Sequence, residues 1–100
     1  QVPPAQPAQP VDPKQALLEK YLYFAGYHLN KGEPAKAEEY LRKYLELVPR
    51  DTAVWMRLGE ACARQGRYDA AREAWEQVLR LEPGNAEADT AIRRLVRGEY

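Results

Sequence analysis

Residues 52–85 read TAVWMRLGEACARQGRYDAAREAWEQVLRLEPGN. Residues 18–51, immediately before them, read LEKYLYFAGYHLNKGEPAKAEEYLRKYLELVPRD. A shift of 34 residues places Gly32 on Gly66, Ala37 on Ala71, Glu39 on Glu73, Leu45 on Leu79, Leu47 on Leu81 and Pro49 on Pro83. Residues of similar size and polarity fill other places: Tyr21 with Trp55, Phe24 with Leu58, Ala25 with Gly59, and Leu41 with Trp75. A fixed period of this length marks a stack of repeated supersecondary units, each too small to bury its apolar face alone.

Each unit divides into two helices. Asp12 is a good N-cap, Pro13 suits the first helical position, and Gln15 stands where a capping box would place it. Leu17, Leu18, Tyr21, Phe24, Ala25 and His28 or Leu29 then recur at helical spacing. Asn30-Lys31-Gly32 stops the pattern, with glycine available for a left-handed turn. Pro34 opens a second helix through Ala37, Leu41, Tyr44, Leu45 and Val48, which Pro49 ends.

The spacing resembles that of the tetratricopeptide repeat family, whose pattern is W-x2-L-G-x2-Y, then A-x3-F, then P. Residues 52–85 supply Trp55-x2-Leu58-Gly59-x2-Cys62, then Ala71-x3-Trp75, then Pro83. Residues 18–51 supply Tyr21-x2-Phe24-Ala25-x2-His28, then Ala37-x3-Leu41, then Pro49. Cys62 and Trp75 depart from the family's Tyr and Phe, and the first copy diverges further while keeping the size classes. The resemblance implies an all-α, right-handed superhelical array of antiparallel helix pairs. It covers unit one (18–51) and unit two (52–85). Residues 86–97 then form a capping helix, N-capped by Asn85 and ended by Gly98, which closes a domain spanning 13–98.

Residues 1–12 are expected to be a Pro-rich linker, extended and semi-rigid. Their Pro/Ala/Gln composition resembles spacers that tether bacterial envelope domains to an anchor. A proline-rich ligand is the alternative reading, weakened by the absence of flanking Arg or Lys.

Charge is balanced, with 15 basic and 15 acidic residues, so nucleic acid is a poor partner. No apolar run approaches the ~18 residues of a membrane span, and direct membrane insertion is not expected. A single cysteine, Cys62, rules out an internal disulfide. The chain contains no serine, which removes the commonest hydrolase nucleophile. No Gly-rich phosphate loop, His cluster or calcium loop is present, so no cofactor or metal is expected. His28 and Cys62 share one repeat position, and a thiol enzyme built on them is the remote alternative. Cys62 reads more simply as a packed hydrophobe. The carboxylate pairs Glu38-Glu39, Glu73-Glu76 and Glu87-Asp89 read as solvated faces. Glu38 with Arg42, Glu39 with Lys43, and Glu76 with Arg80 have i,i+4 spacing. Arg93, Arg94 and Arg97 complement a helix C-terminus.

Binding is therefore the expected function. In the family that this sequence resembles, the first helix of each unit lines a concave groove that holds a peptide or helix. Carried over, the groove residues are Leu22, Tyr23, Gly26 and Asn30 in unit one, Met56, Arg57, Glu60 and Arg64 in unit two, and Arg94 in the last helix. One subtype grips a C-terminal carboxylate with Lys and Asn, but Leu22 and Gly26 occupy those places here. The expected partner is another protein or peptide segment, within a larger assembly. A homodimer is the alternative, because a thin array has exposed ends.

Overall fold

The computed structural model describes residues 12–100, so the expectation of a linker falls almost wholly outside the described residues. Five helices follow one another: α1 (Pro13–Asn30), α2 (Pro34–Leu47), α3 (Thr52–Arg64), α4 (Tyr68–Leu81) and α5 (Ala86–Val96). They pack in chain order, α1 on α2, α2 on α3, α3 on α4 and α4 on α5. The result is the all-α helical repeat array that the period predicts.

Local chemistry sets the boundaries. The first helix of each pair is capped by an Asp or Asn side chain. Asp12 accepts from Lys14 N at 3.0 Å, Asp51 from Val54 N at 3.3 Å, and Asn85 from Ala88 N at 2.9 Å. The same helices end on glycines with φ near +75°, namely Gly32, Gly66 and Gly98. There the backbone closes a Schellman turn, as in Glu33 N to His28 O at 2.8 Å and Arg67 N to Cys62 O at 3.0 Å. Gln15 does not complete a capping box; its amide donates to Glu19 at 3.2 Å, one turn along.

The core runs along the contact line of the helices. Trp75, Leu41, Leu58, Val78 and Cys62 are its largest fully buried side chains, each of the larger ones contributing about 2 kcal/mol by leaving water. Gly59 shows why the repeat needs a small residue. A Cβ there would lie 2.5 Å from Trp75 Cδ1, so the indole can lie on α3 only because glycine leaves the space. Its Nε1–H donates to Met56 O at 3.3 Å.

Polar contacts join unit one to unit two. The Tyr44 hydroxyl donates to Asp51 Oδ2 at 2.7 Å, tying the end of α2 to the cap of α3. That bond, with some burial, pushes the phenol up to about 12. Glu38 is the larger surprise. Read from sequence as part of a solvated face, it is 6% exposed. It accepts from Arg42 Nε at 2.7 Å on its own helix, from Gln65 Nε2 at 2.8 Å across the joint, and from Arg67. Its register one residue past Ala37 and three before Leu41 turns it towards α3. Burial alone would raise its carboxyl. The bonds from Gln65, Arg42 and Arg67 outweigh burial and hold it below the usual range. Two other ion-pair expectations also differ. Glu76 pairs with Arg72 at 3.5 Å, while Arg80 donates to Gln77; on an exposed face both neighbours are equally reachable. Among the described residues Glu39 and Lys43 form no ion pair.

α1 stands apart from the others. Ala25 is its only fully buried residue, while Leu17, Tyr23 and Tyr27 are exposed. Apolar residues are distributed around its circumference rather than along one stripe.

Candidate functional site: a concave cleft over α3

The first helices of the pairs, α1, α3 and α5, carry the residues expected to form a groove. A cleft of about 550 Å³ lies over α3 and α5. Met56 and Arg57 project into it from α3, with Glu60 one helical turn further on, and Arg94 from α5. Ala91 and the edge of Trp75 complete its floor.

Unit one meets this cleft through its small residue. The space above Gly26, where a Cβ would stand, is 3.7 Å from Arg57 Nη2. The guanidinium thus lies across the backbone of α1. Arg64 makes a second link: Nη1 donates to Leu29 O at 3.5 Å and Nη2 to Glu60 Oε1 at 2.9 Å. Among the described residues Arg57, Arg94 and Glu87 form no ion pair, whereas Arg64 and Glu60 pair with each other. The cleft therefore offers two guanidinium groups and the Glu87 carboxylate, all without ion-pair partners, above an apolar floor.

Met56, Arg57, Glu60 and Arg94 come together as the sequence suggests, with Gly26 and Arg64 at the unit-one edge. Leu22, Tyr23 and Asn30 do not line the cleft. Leu22 is half-buried and packs on the core. Tyr23 is 67% exposed and lies edge-on to Phe24, with ring centroids 5.4 Å apart. Asn30 is exposed at the end of α1. Sequence reasoning missed Tyr100. The left-handed turn at Gly98 sends the chain back along α5, and the Tyr100 ring reaches 5.7 Å from Trp75 and 5.7 Å from the Arg94 guanidinium. An aromatic two residues beyond a helix-ending glycine was the available signal.

His28 and Cys62 have separate environments. His28 Nδ1 lies 3.0 Å from Glu33 Oε1, and its ring stacks on Tyr40 at 5.7 Å. Cys62 is fully buried beside Arg42, and burial pushes its thiol up, the opposite of what a nucleophile needs. Among the described residues there is no cluster of His, Cys, Asp and Glu able to hold a metal. No helix there is long and apolar enough to cross a membrane.

Two capped helix pairs in tandem, a helix closing the stack and a concave cleft define a short helical-repeat domain. The tetratricopeptide repeat profile matches residues 24–86, and the chain belongs to that family. It is 38% identical over 52 residues to a TPR repeat-containing protein of Pseudomonas aeruginosa, covering 52% of this chain and 50% of that one. It is 36% identical over 74 residues to Superkiller protein 3 of Schizosaccharomyces pombe, covering 72% of this chain and 5% of that protein. An uncharacterized protein of Methanocaldococcus jannaschii is 38% identical over 64 residues, covering 63% of this chain and 74% of that one. The chain thus spans half or less of the Pseudomonas and yeast relatives. The family is a protein-interaction fold rather than a catalytic one, and its domains bind other proteins or peptides.

Proposed function

We propose that this chain holds a peptide or helix of a partner protein in the α1/α3/α5 cleft, as one module of a larger assembly. The observation that supports this reading most is the pair of guanidinium groups without carboxylate partners, Arg57 and Arg94, set over Met56, Ala91 and Tyr100. Arginine, methionine and aromatic residues are the types enriched where protein surfaces meet. A segment with an apolar side chain for the floor and a carboxylate for Arg57 suits this lining. The test is an affinity pull-down with the native parent chain, followed by titration of the captured partner against Arg57→Ala and, as a control outside the cleft, Tyr23→Ala. Arg57→Ala is expected to weaken binding about ten-fold. Unchanged affinity for Arg57→Ala sinks the cleft assignment.

Self-association is the second reading, supported by apolar residues at the α4/α5 end, where Val96 is 69% and Tyr68 41% exposed. Light scattering across a hundred-fold concentration range decides it. A constant monomer mass dismisses it.

A further inference from the structure

The outer face of unit one is built unlike its counterpart in unit two. In unit two, Trp55, Leu58, Cys62, Gln65 and Arg67 meet α2: Trp55 and Leu58 share a crevice with Leu45, and the others lie against Arg42 or Glu38. Thirty-four residues earlier the same positions hold Tyr21, Phe24, His28, Lys31 and Glu33; no described helix packs on them as α2 packs on unit two, and Tyr40 of α2 leaves the three rings half-buried. The described face carries stacked rings. Tyr40 lies 6.3 Å from Tyr21, 5.4 Å from Phe24 and 5.7 Å from His28. Its equivalent in unit two is the buried Ala74.

The charge on this face is as distinctive. All five lysines of the chain, at 14, 20, 31, 36 and 43, lie on α1, α2 or the turn between them. Lys31, Lys36 and Lys43 stand where unit two has the neutral Gln65, Ala70 and Gln77. Among the described residues only Lys36 of these has a carboxylate partner, Glu33, which His28 also engages. Lys31 lies over Tyr27 at 5.1 Å and Lys43 over Tyr40 at 5.6 Å, so their ammonium groups rest on rings rather than on acids. Glu39, on the same helix as Lys36 and Lys43, is exposed.

We propose that this face docks an amphipathic helix of a separate partner protein, with an apolar stripe flanked by Asp and Glu, lying where α2 lies on unit two. The stripe covers Tyr21, Phe24 and Tyr40. A carboxylate placed as Glu38 is placed in the internal joint meets Lys31 instead of Gln65, and in place of Arg67 it meets Glu33, whose carboxylate His28 and Lys36 already engage. A second copy does not fit through this same face, because two lysine-rimmed faces repel. Residues 1–11 contain no Asp or Glu and do not supply the acidic flanks. This surface is separate from the cleft over α3.

The test uses the full 100-residue chain and two synthetic amphipathic helices with the same leucine stripe, one flanked by Glu and one by Lys. Each is dye-labelled and followed by fluorescence anisotropy. The Glu-flanked helix is expected to bind, with affinity falling as salt rises. The double variant Lys31→Glu/Lys43→Glu is expected to bind it about ten-fold more weakly, with unchanged circular dichroism. Arg57→Ala is expected to leave it unaffected. Equal binding of both helices, loss in Arg57→Ala but not in the lysine variant, or no binding overturns the proposal. So does a homodimer that the lysine substitutions alter.

Discussion

Replacing Glu38 by alanine probes what locks the two units together. Its carboxylate takes three bonds, from Arg42, Gln65 and Arg67. Deleting one member of a buried pair costs about 3–5 kcal/mol when the abandoned charge stays buried. Here it does not, because Arg42 is 47% and Arg67 51% exposed, and both return to water. Gln65 keeps Ala61 O at 3.0 Å. The expected loss is therefore lower, about 2 kcal/mol, or about 10 °C in Tm for a domain of this size. The carboxyl is held below its ordinary value in the folded state, so its stabilisation is full above the unfolded value of 4.5. It is lost as pH falls through the lower folded value. Thermal unfolding of wild type and Glu38→Ala, followed by circular dichroism, should show a constant Tm gap above pH ~5.5 that narrows below pH ~4. A gap of that size persisting unchanged into acid, or no gap at neutral pH, refutes the joint as described.

Gly59→Ala forces a methyl group into Trp75 and should cost about 3 kcal/mol, seen as a lower midpoint in urea unfolding; a wild-type midpoint contradicts the packing. Tyr44→Phe removes the bond to Asp51 but leaves the cap of α3, so about 1 kcal/mol should be lost. Spectrophotometric titration of the variant should also lack the tyrosine that ionises near pH 12. Cys62 is buried with its thiol pushed up, so a thiol reagent should label the folded chain only as fast as it opens. Rapid labelling under native conditions would count against that burial.

Much of the architecture was legible because stacking imposes it on sequence. A second pair of helices can dock on the first only if small residues recur at Ala25, Gly59, Ala37 and Ala71, and large ones at Phe24, Leu58, Leu41 and Trp75. Helix ends were legible for a similar reason, since Asp12, Asn85, Gly32 and Gly98 satisfy backbone groups that few other residues can. Glu38 escaped because a glutamate four residues before an arginine reads the same whether it faces water or a neighbouring helix. Gln65 and Arg67, which complete its site, lie 27 and 29 residues away. The cleft was legible through its α3 residues, which share one helical face. Tyr100 was not, because a backbone reversal and not a periodic pattern carries it there. Tyr23 sits at the expected helical position but points past the cleft, as α1 presents apolar groups on all sides.

Trp75 lies between the cleft and the core, with Tyr100 against it. The other indole, Trp55, sits at the joint between α2 and α3 and donates to Pro49 O at 2.8 Å. The molecule thus carries two optical reporters in different places. With Trp55 replaced by Phe, a shift in Trp75 emission on adding a candidate partner would report occupancy of the proposed cleft, needing no dye and no prior identity for the ligand.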